Sequence, residues 1–326
     1  MSRLERFNYT ILTFACSFIA PALFRGGRGC IKRATIILKG AMMKSTIYSL
    51  TRRDALKTGL IGAASAGAWA GGVRSAFADD TLAEVKKRGE LVIATEMQFP
   101  PFDISDNGTY KGVDRDLIDE VGKELGVKVK YLDLPWTSIL PGLEAKKFDL
   151  CIAPVTITKE RMKRYLFTVP IADATAALMK RANDASISKP EDIAGKAVGG
   201  QKGTSQLAQL KAFAAKLPKP VDVKEYVDNN QSYADLAAGR IDASVNSFPN
   251  LAYAASQRAD TFAMVAPPFG TPTYFSWVGR LDDKSLVDAV NAAIVATEGD
   301  GRMAKIQKAW FGQSFDLPKT VPEPQL

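Results

Sequence analysis

Short apolar runs alternate with longer amphipathic ones across residues 91–153, and this alternation restricts the fold more than any other feature of the chain. Leu91-Val92-Ile93-Ala94 is apolar at every position, which predicts a strand buried on both faces. Val113, Leu117, Val121 and Leu125 then recur every fourth residue, one stripe of a helix that Gly126 stops. Residues 127–132 predict a second strand. Residues 136–145 predict a helix with Ile139, Leu140 and Leu143 on one side, and residues 150–153 a third strand. Strand and helix alternating in this way build a parallel sheet with crossover helices.

A second unit of the same kind follows. Strands are expected at 176–179, 196–199, 221–226 and 241–245, with helices over 205–217 and 230–239. Extended segments at 262–265 and 274–279, two closing helices at 285–298 and 302–311, and an extended surface tail over 316–326 complete the chain. Two α/β units predict two lobes with a cleft between them. Ligands of open α/β sheets bind beyond the carboxyl ends of the strands, so both sets of loops would surround one ligand.

The first 78 residues read differently. Thr51-Arg52-Arg53-Asp54-Ala55-Leu56-Lys57 resembles a twin-arginine export pattern, departing from it at Ala55, and an Ala/Gly-rich run leads to Ala76-Phe77-Ala78, an A-x-A cleavage site. The run is too short and too rich in small residues to suit a bilayer span. Residues 42–78 are therefore expected to be a cleaved signal. Residues 1–41 are expected to be an over-extended start outside the fold. Of the 43 Lys and Arg, 12 lie in residues 1–78, with only 2 of the 35 Asp and Glu; residues 79–326 thus carry 31 against 33, a formal charge of −2. The basic balance belongs to the leader and gives no reason to expect nucleic acid as a partner. Cys16 and Cys30 precede the cleavage site, and Cys151 sits alone in an apolar run as a small core residue. With no histidine in the chain, His-based triads and His-ligated zinc are excluded, and no cofactor or metal is expected.

Several segments, in their order and spacing, carry a resemblance. They include Phe99-Pro100-Pro101-Phe102, Gly112-Val113-Asp114, Leu140-Pro141-Gly142-Leu143, Lys147-Phe148-Asp149-Leu150, Thr156-Ile157-Thr158-Lys159-Glu160-Arg161, Lys202-Gly203-Thr204, Gly239-Arg240-Ile241-Asp242-Ala243 and Trp310-Phe311-Gly312. The chain resembles the polar amino-acid binding proteins of bacterial ABC importers, of the type II periplasmic binding fold. The resemblance implies an α/β, two-lobed protein in which each lobe is a mostly parallel sheet flanked by helices. Residues 81–176 and 276–326 would form lobe one, residues 177–275 lobe two, and two crossing strands the hinge. It also implies a periplasmic monomer that captures a small carboxylate-bearing ligand by lobe closure and delivers it to an inner-membrane ABC permease.

The same resemblance implies a binding site. Arg161 would grip the ligand carboxylate, since a planar guanidinium pairs both oxygens at once; by its surroundings alone, amid Lys159, Glu160, Lys163 and Arg164, it reads as a solvated charge. Gly203, Thr204 and Ser205 would complete the anion site at a helix N-terminus, where Thr204 or Ser205 also reads as a plain cap. Thr156 would offer a hydroxyl and Pro154 a backbone carbonyl. Phe99 and Trp136 would sandwich the ligand body, although core packing is the simpler reading of Phe99. Glu96 would read the ligand side chain. One position departs: where the family usually has an acid for the α-ammonium, this chain has Ser247 beside Asn246. Neither neutral group can neutralise a buried ammonium. Either Glu96 supplies that charge or the ligand is a modified amino acid or organic carboxylate without an α-ammonium. A periplasmic enzyme on the same fold, such as a cyclohexadienyl dehydratase, is the alternative; only Glu96 offers itself as a general acid.

Overall fold

The computed structural model describes residues 80–326. The twin-arginine pattern, the cleavage site, Cys16, Cys30 and the proposed extra start at 1–41 lie outside the described residues.

The first lobe is built on strands β1 (Glu90–Thr95), β5 (Lys128–Asp133), β6 (Leu150–Thr156), β7 (Tyr165–Phe167), β8 (Ala172–Asp173) and β14 (Tyr274–Arg280). Their order is β5-β1-β6-β14-β7, with β8 also on β14. β1 runs parallel to β5 and β6, whereas β14 runs antiparallel to its neighbours. The fully apolar strands are explained by two cores, one on each face. Leu91 and Ile93 of β1, and Leu150 and Ile152 of β6, enter one cluster with Phe102, Leu117, Ile118 and Trp277. Ala94, Cys151, Ala153 and Val155 alternate into the other, with Trp136, Ile139 and Leu143. Helices α1 (Thr81–Arg88), α2 (Val113–Leu125), α8 (Lys284–Gly299) and α9 (Arg302–Phe311) pack together around the first face, and α3 (Trp136–Glu144) covers the second.

The second lobe repeats the plan. Its strands β9 (Ala176–Arg181), β10 (Ala197–Gln201), β11 (Asp222–Tyr226), β12 (Ala243–Ser247) and β13 (Phe262–Val265) are ordered β11-β10-β12-β9-β13. β10 is parallel to β11 and β12, and β9 is antiparallel to β12 and β13. Helices α5 (Ser205–Ala214), α6 (Asn229–Ala237) and α7 (Phe248–Gln257) flank it. Each sheet is thus mixed: three parallel strands and then an antiparallel one, because the strand next to the crossing returns without a crossover helix. The crossings are tied to each other. Ala174 N–H donates to the Thr273 carbonyl at 2.8 Å and Gly270 N–H to that of Ala176 at 2.9 Å.

Several elements were not expected from sequence. The small sheet β2 (Gln98–Phe99), β3 (Asp103–Asp106) and β4 (Thr109–Lys111) stands above lobe one. It fixes the start of α2: Gly112 has φ +136°, and a Cβ there would lie 2.0 Å from the Phe102 carbonyl oxygen, so only glycine fits. Asp114 then accepts the buried Trp277 indole N–H at 3.0 Å. The one-turn helix α4 (Lys159–Met162) and helix α7 were also missed, and α5 ends at Ala214 rather than 217. Residues 312–326 form no helix or strand, but Val321 is partly buried rather than free on the surface.

Candidate ligand-binding site

The parallel strands of both lobes direct their carboxyl ends at one small cavity. Glu96 follows β1, Trp136 opens α3 after β5, and Pro154 and Thr156 end β6. Arg161 lies on α4 just beyond. From lobe two come Gln201 at the end of β10 and Thr204, Ser205 and Gln206 at the start of α5. Phe99 and Phe275 close the apolar side.

Arg161 is held by backbone. Its guanidinium donates to the Thr156 carbonyl at 3.2 Å and, across the cleft, to the Gly203 carbonyl at 3.4 Å. It lies 5.3 Å from the Trp136 ring centroid, a cation–π arrangement. Among the described residues no carboxylate reaches ion-pairing distance of it. Burial lowers its proton affinity to about 10. An arginine held in place with no anionic partner is suited to an anion from outside the chain. The α5 N-terminus faces the same space. Thr204 caps it, accepting from Leu207 N–H at 3.2 Å and donating to the Gln201 carbonyl at 2.8 Å. Gly203 sits at φ +79°, and a Cβ there would stand 3.5 Å from the Trp136 indole nitrogen, so the two lobes approach closely at this point.

Glu96, only 7 % exposed, occupies the same cavity. Gln201 Nε2 lies 2.7 and 2.8 Å from its two carboxylate oxygens. Gln201 is oriented in turn by Asn229, whose amide donates to Gln201 Oε1 at 2.8 Å. Burial pushes the Glu96 carboxyl up to about 7 against the opposing pull of the Gln201 amide.

Phe99 and Trp136 are each 8 % exposed. Phe99 stacks on Phe102 at 6.0 Å and meets Phe275 edge-on at 6.0 Å, so it is core and cavity wall together. Thr156 Oγ1 accepts from Gln206 Nε2 at 3.2 Å, a further contact between lobes.

Gly203 is not among the residues that line the cavity, and Asn246 and Ser247 require a correction: neither is on its wall. They end β12 fully in the interior. Asn246 Nδ2 donates to the Tyr233 hydroxyl at 2.9 Å, and the Ser247 hydroxyl donates to Asn250 Oδ1. Asn250 in turn donates to the Pro100 carbonyl of lobe one at 2.6 Å. The serine side chain is short and already engaged by the next helix, so it joins a lobe-to-lobe relay instead of facing a ligand. Sequence reasoning missed Gln201, Gln206, Ala153 and Phe275, all of which line the cavity. The signal for Gln206 was its place in the first turn of α5. Gln201 could have been found by matching the end of β10 to the end of β1, where Glu96 stands.

Two lobes of equal strand order, joined by two crossings and closing on a cavity with an arginine that has no carboxylate partner among the described residues, define a type II periplasmic binding protein. The chain belongs to the bacterial extracellular solute-binding proteins, family 3, whose pattern it matches over residues 91–313. It is 33 % identical over 240 residues to the L-cystine-binding protein of Escherichia coli strain K12, covering 72 % of this chain and 88 % of that one. It is 30 % identical over 233 residues to the L-arginine-binding protein of Pseudomonas aeruginosa, covering 69 % and 88 %. Among solved structures, an ancestral arginine-binding protein bound to arginine is similar at 32 % identity with a TM-score of 0.64, covering 69 % of this chain and 99 % of that one.

Proposed function

We propose that the protein captures a small amino acid or amino-acid derivative for an ABC importer, by binding and lobe closure without chemistry. The observation that carries this is Arg161: stacked on Trp136, spanning the cleft to Gly203, and without a carboxylate partner among the described residues. The ligand carboxylate replaces the long Arg161–Gly203 contact and gains the free N–H groups at the start of α5. The ligand's cationic group is met by Glu96, which takes the role that Ser247 cannot take from the interior of lobe two. Relatives that bind L-cystine and L-arginine, both carrying a carboxylate and more than one cationic group, favour this pairing. Among the described residues Glu96 is the one acid that lines the cavity, so the paired acid–base arrangement of a dehydratase has no support in the geometry.

The protein acts as a monomer in the periplasm, exported by residues 42–78, and its closed form is recognised by the permease. A thermal-shift panel of L-cystine, L-arginine, L-histidine, the remaining amino acids and their keto and hydroxy analogues tests the ligand class, because a ligand of the folded state raises its melting temperature. A shift with an amino acid bearing a second cationic group is expected. A shift confined to keto or hydroxy acids would remove Glu96 from its role. N-terminal sequencing of exported protein tests the signal, with Asp79 expected first.

A further inference from the structure

The match to the family ends at residue 313, and the chain continues to 326. Those added residues are attached to lobe one at three places. Phe315 N–H donates to Gln307 Oε1 of α9 at 2.9 Å, and its ring meets Phe311 edge-on at 5.6 Å. Val321 packs on the apolar cluster that contains Trp136, Val155 and Ile157. The Lys159 N–H, at the first position of α4, donates to a Leu326 backbone oxygen at 2.9 Å.

The last two contacts fall on the cluster that includes Trp136 and on α4. Trp136 supplies the ring over which the guanidinium lies, and α4 supplies the backbone that carries it. Helix α4 is a single turn, Lys159–Met162. One turn cannot stabilise itself, because helix nucleation is unfavourable and its first N–H groups have no partners within the helix. Thr158 satisfies one of them, accepting from Arg161 N–H at 3.2 Å. Its first N–H, that of Lys159, is met from residue 326. We propose that residues 314–326 are a positioning strap: anchored on α9, they press on the Trp136 cluster and cap α4, and so hold the Arg161 guanidinium in the cleft. The strap matters for capture only if Arg161 grips the ligand carboxylate, the reading proposed above.

Phenylglyoxal labelling of arginine, followed residue by residue with peptide mass spectrometry, tests the strap without a ligand. Three versions of the protein are compared with the full chain: one ending at residue 313, Val321→Asp, and the conservative Val321→Ile. Arg302 is the internal reference, because Asp300, Glu120 and Glu124 hold it elsewhere on lobe one. Local release of α4 should label Arg161 at least about fivefold faster in the truncated and Asp versions, with Arg302 within about twofold and Val321→Ile unchanged. An unchanged rate at Arg161, or an equal rise at Arg302, overturns the strap. Arg161→Ala, titrated by calorimetry with L-arginine and L-cystine, judges the grip separately. Faster Arg161 labelling together with undiminished binding by Arg161→Ala would leave the strap standing and remove the grip.

Discussion

Gln201 and Glu96 face each other across the cleft, with one amide nitrogen 2.7 and 2.8 Å from the two carboxylate oxygens. They occupy matching places, at the carboxyl ends of the first parallel strands of their lobes. Further contacts between the described residues join the lobes, among them Arg161 to Gly203, Gln206 to Thr156, Asn230 to Gln98 and Asn250 to Pro100. The closed arrangement is therefore held by polar side chains that a ligand can exchange for its own groups.

Burial raises the Glu96 carboxyl to about 7, so under the proposed pairing with the ligand capture should depend on pH. A carboxyl whose folded pKa lies above its ordinary value is penalised when ionised, so this group costs folding stability as pH rises from about 4.5 through 7. Binding of a cationic ligand group has the opposite sign, since it needs the ionised form. Affinity should rise about tenfold between pH 6 and pH 8, following the ionised fraction of a group titrating near 7. Calorimetry at the two values decides it, and Glu96→Gln should bind more weakly with no such rise. A pH-independent affinity in the parent protein would show that Glu96 does not meet the ligand.

Ser247→Ala separates a structural from a binding role at the end of β12. The change leaves Asn250 Oδ1 without its hydroxyl donor in a buried relay. Losing that partner should cost about 1–3 kcal/mol of stability by denaturant titration. Ligand affinity should fall by less than about tenfold, since the residue is off the cavity wall. Complete loss of binding with little loss of stability would return Ser247 to the site.

Much of this architecture is legible in the sequence, for a physical reason. β1 and β6 are buried on both faces, so nearly every position is apolar and the runs stand out. The hairpin β2–β4 is short and largely polar, and α4 is a single turn, so neither leaves a periodic trace. Arg161 is visible only through the motif that surrounds it; its neighbours are exposed charges, and nothing local distinguishes it from them. Gln201 and Gln206 leave only a weak trace, a place at a strand end and in a first helical turn, for another reason. Whether a polar residue at a strand end faces the cleft or the interior depends on what the opposite lobe presents, and the same dependence misplaced Ser247.

Gly203→Ala probes a van der Waals approach of the two lobes at the α5 N-terminus. The backbone is left-handed there, and the added methyl would meet the Trp136 indole. Strain at φ +79° should destabilise the protein by more than about 1 kcal/mol and loosen closure, lowering affinity together with the melting temperature. Unchanged melting and unchanged affinity would show that the loop relaxes freely.

Lobe closure about the crossings near Ala174–Ala176 and Gly270–Thr273 should appear in small-angle scattering. Saturating ligand is expected to narrow the distribution of sizes toward the closed form with its lobe-to-lobe contacts. Identical curves with and without ligand would mean that the unliganded protein is already closed.

The most direct measurement is calorimetric titration of the parent protein and Arg161→Ala with L-arginine and L-cystine, each beside its amide. The parent should bind at least one acid, and Arg161→Ala should lose about 3–5 kcal/mol, or two to three and a half decades of affinity, because a buried charge loses its partner. The amides, which carry no carboxylate, should bind weakly to both proteins. A change of less than about tenfold on replacing Arg161, for an acid that the parent binds well, would contradict the assignment of this arginine as the carboxylate grip.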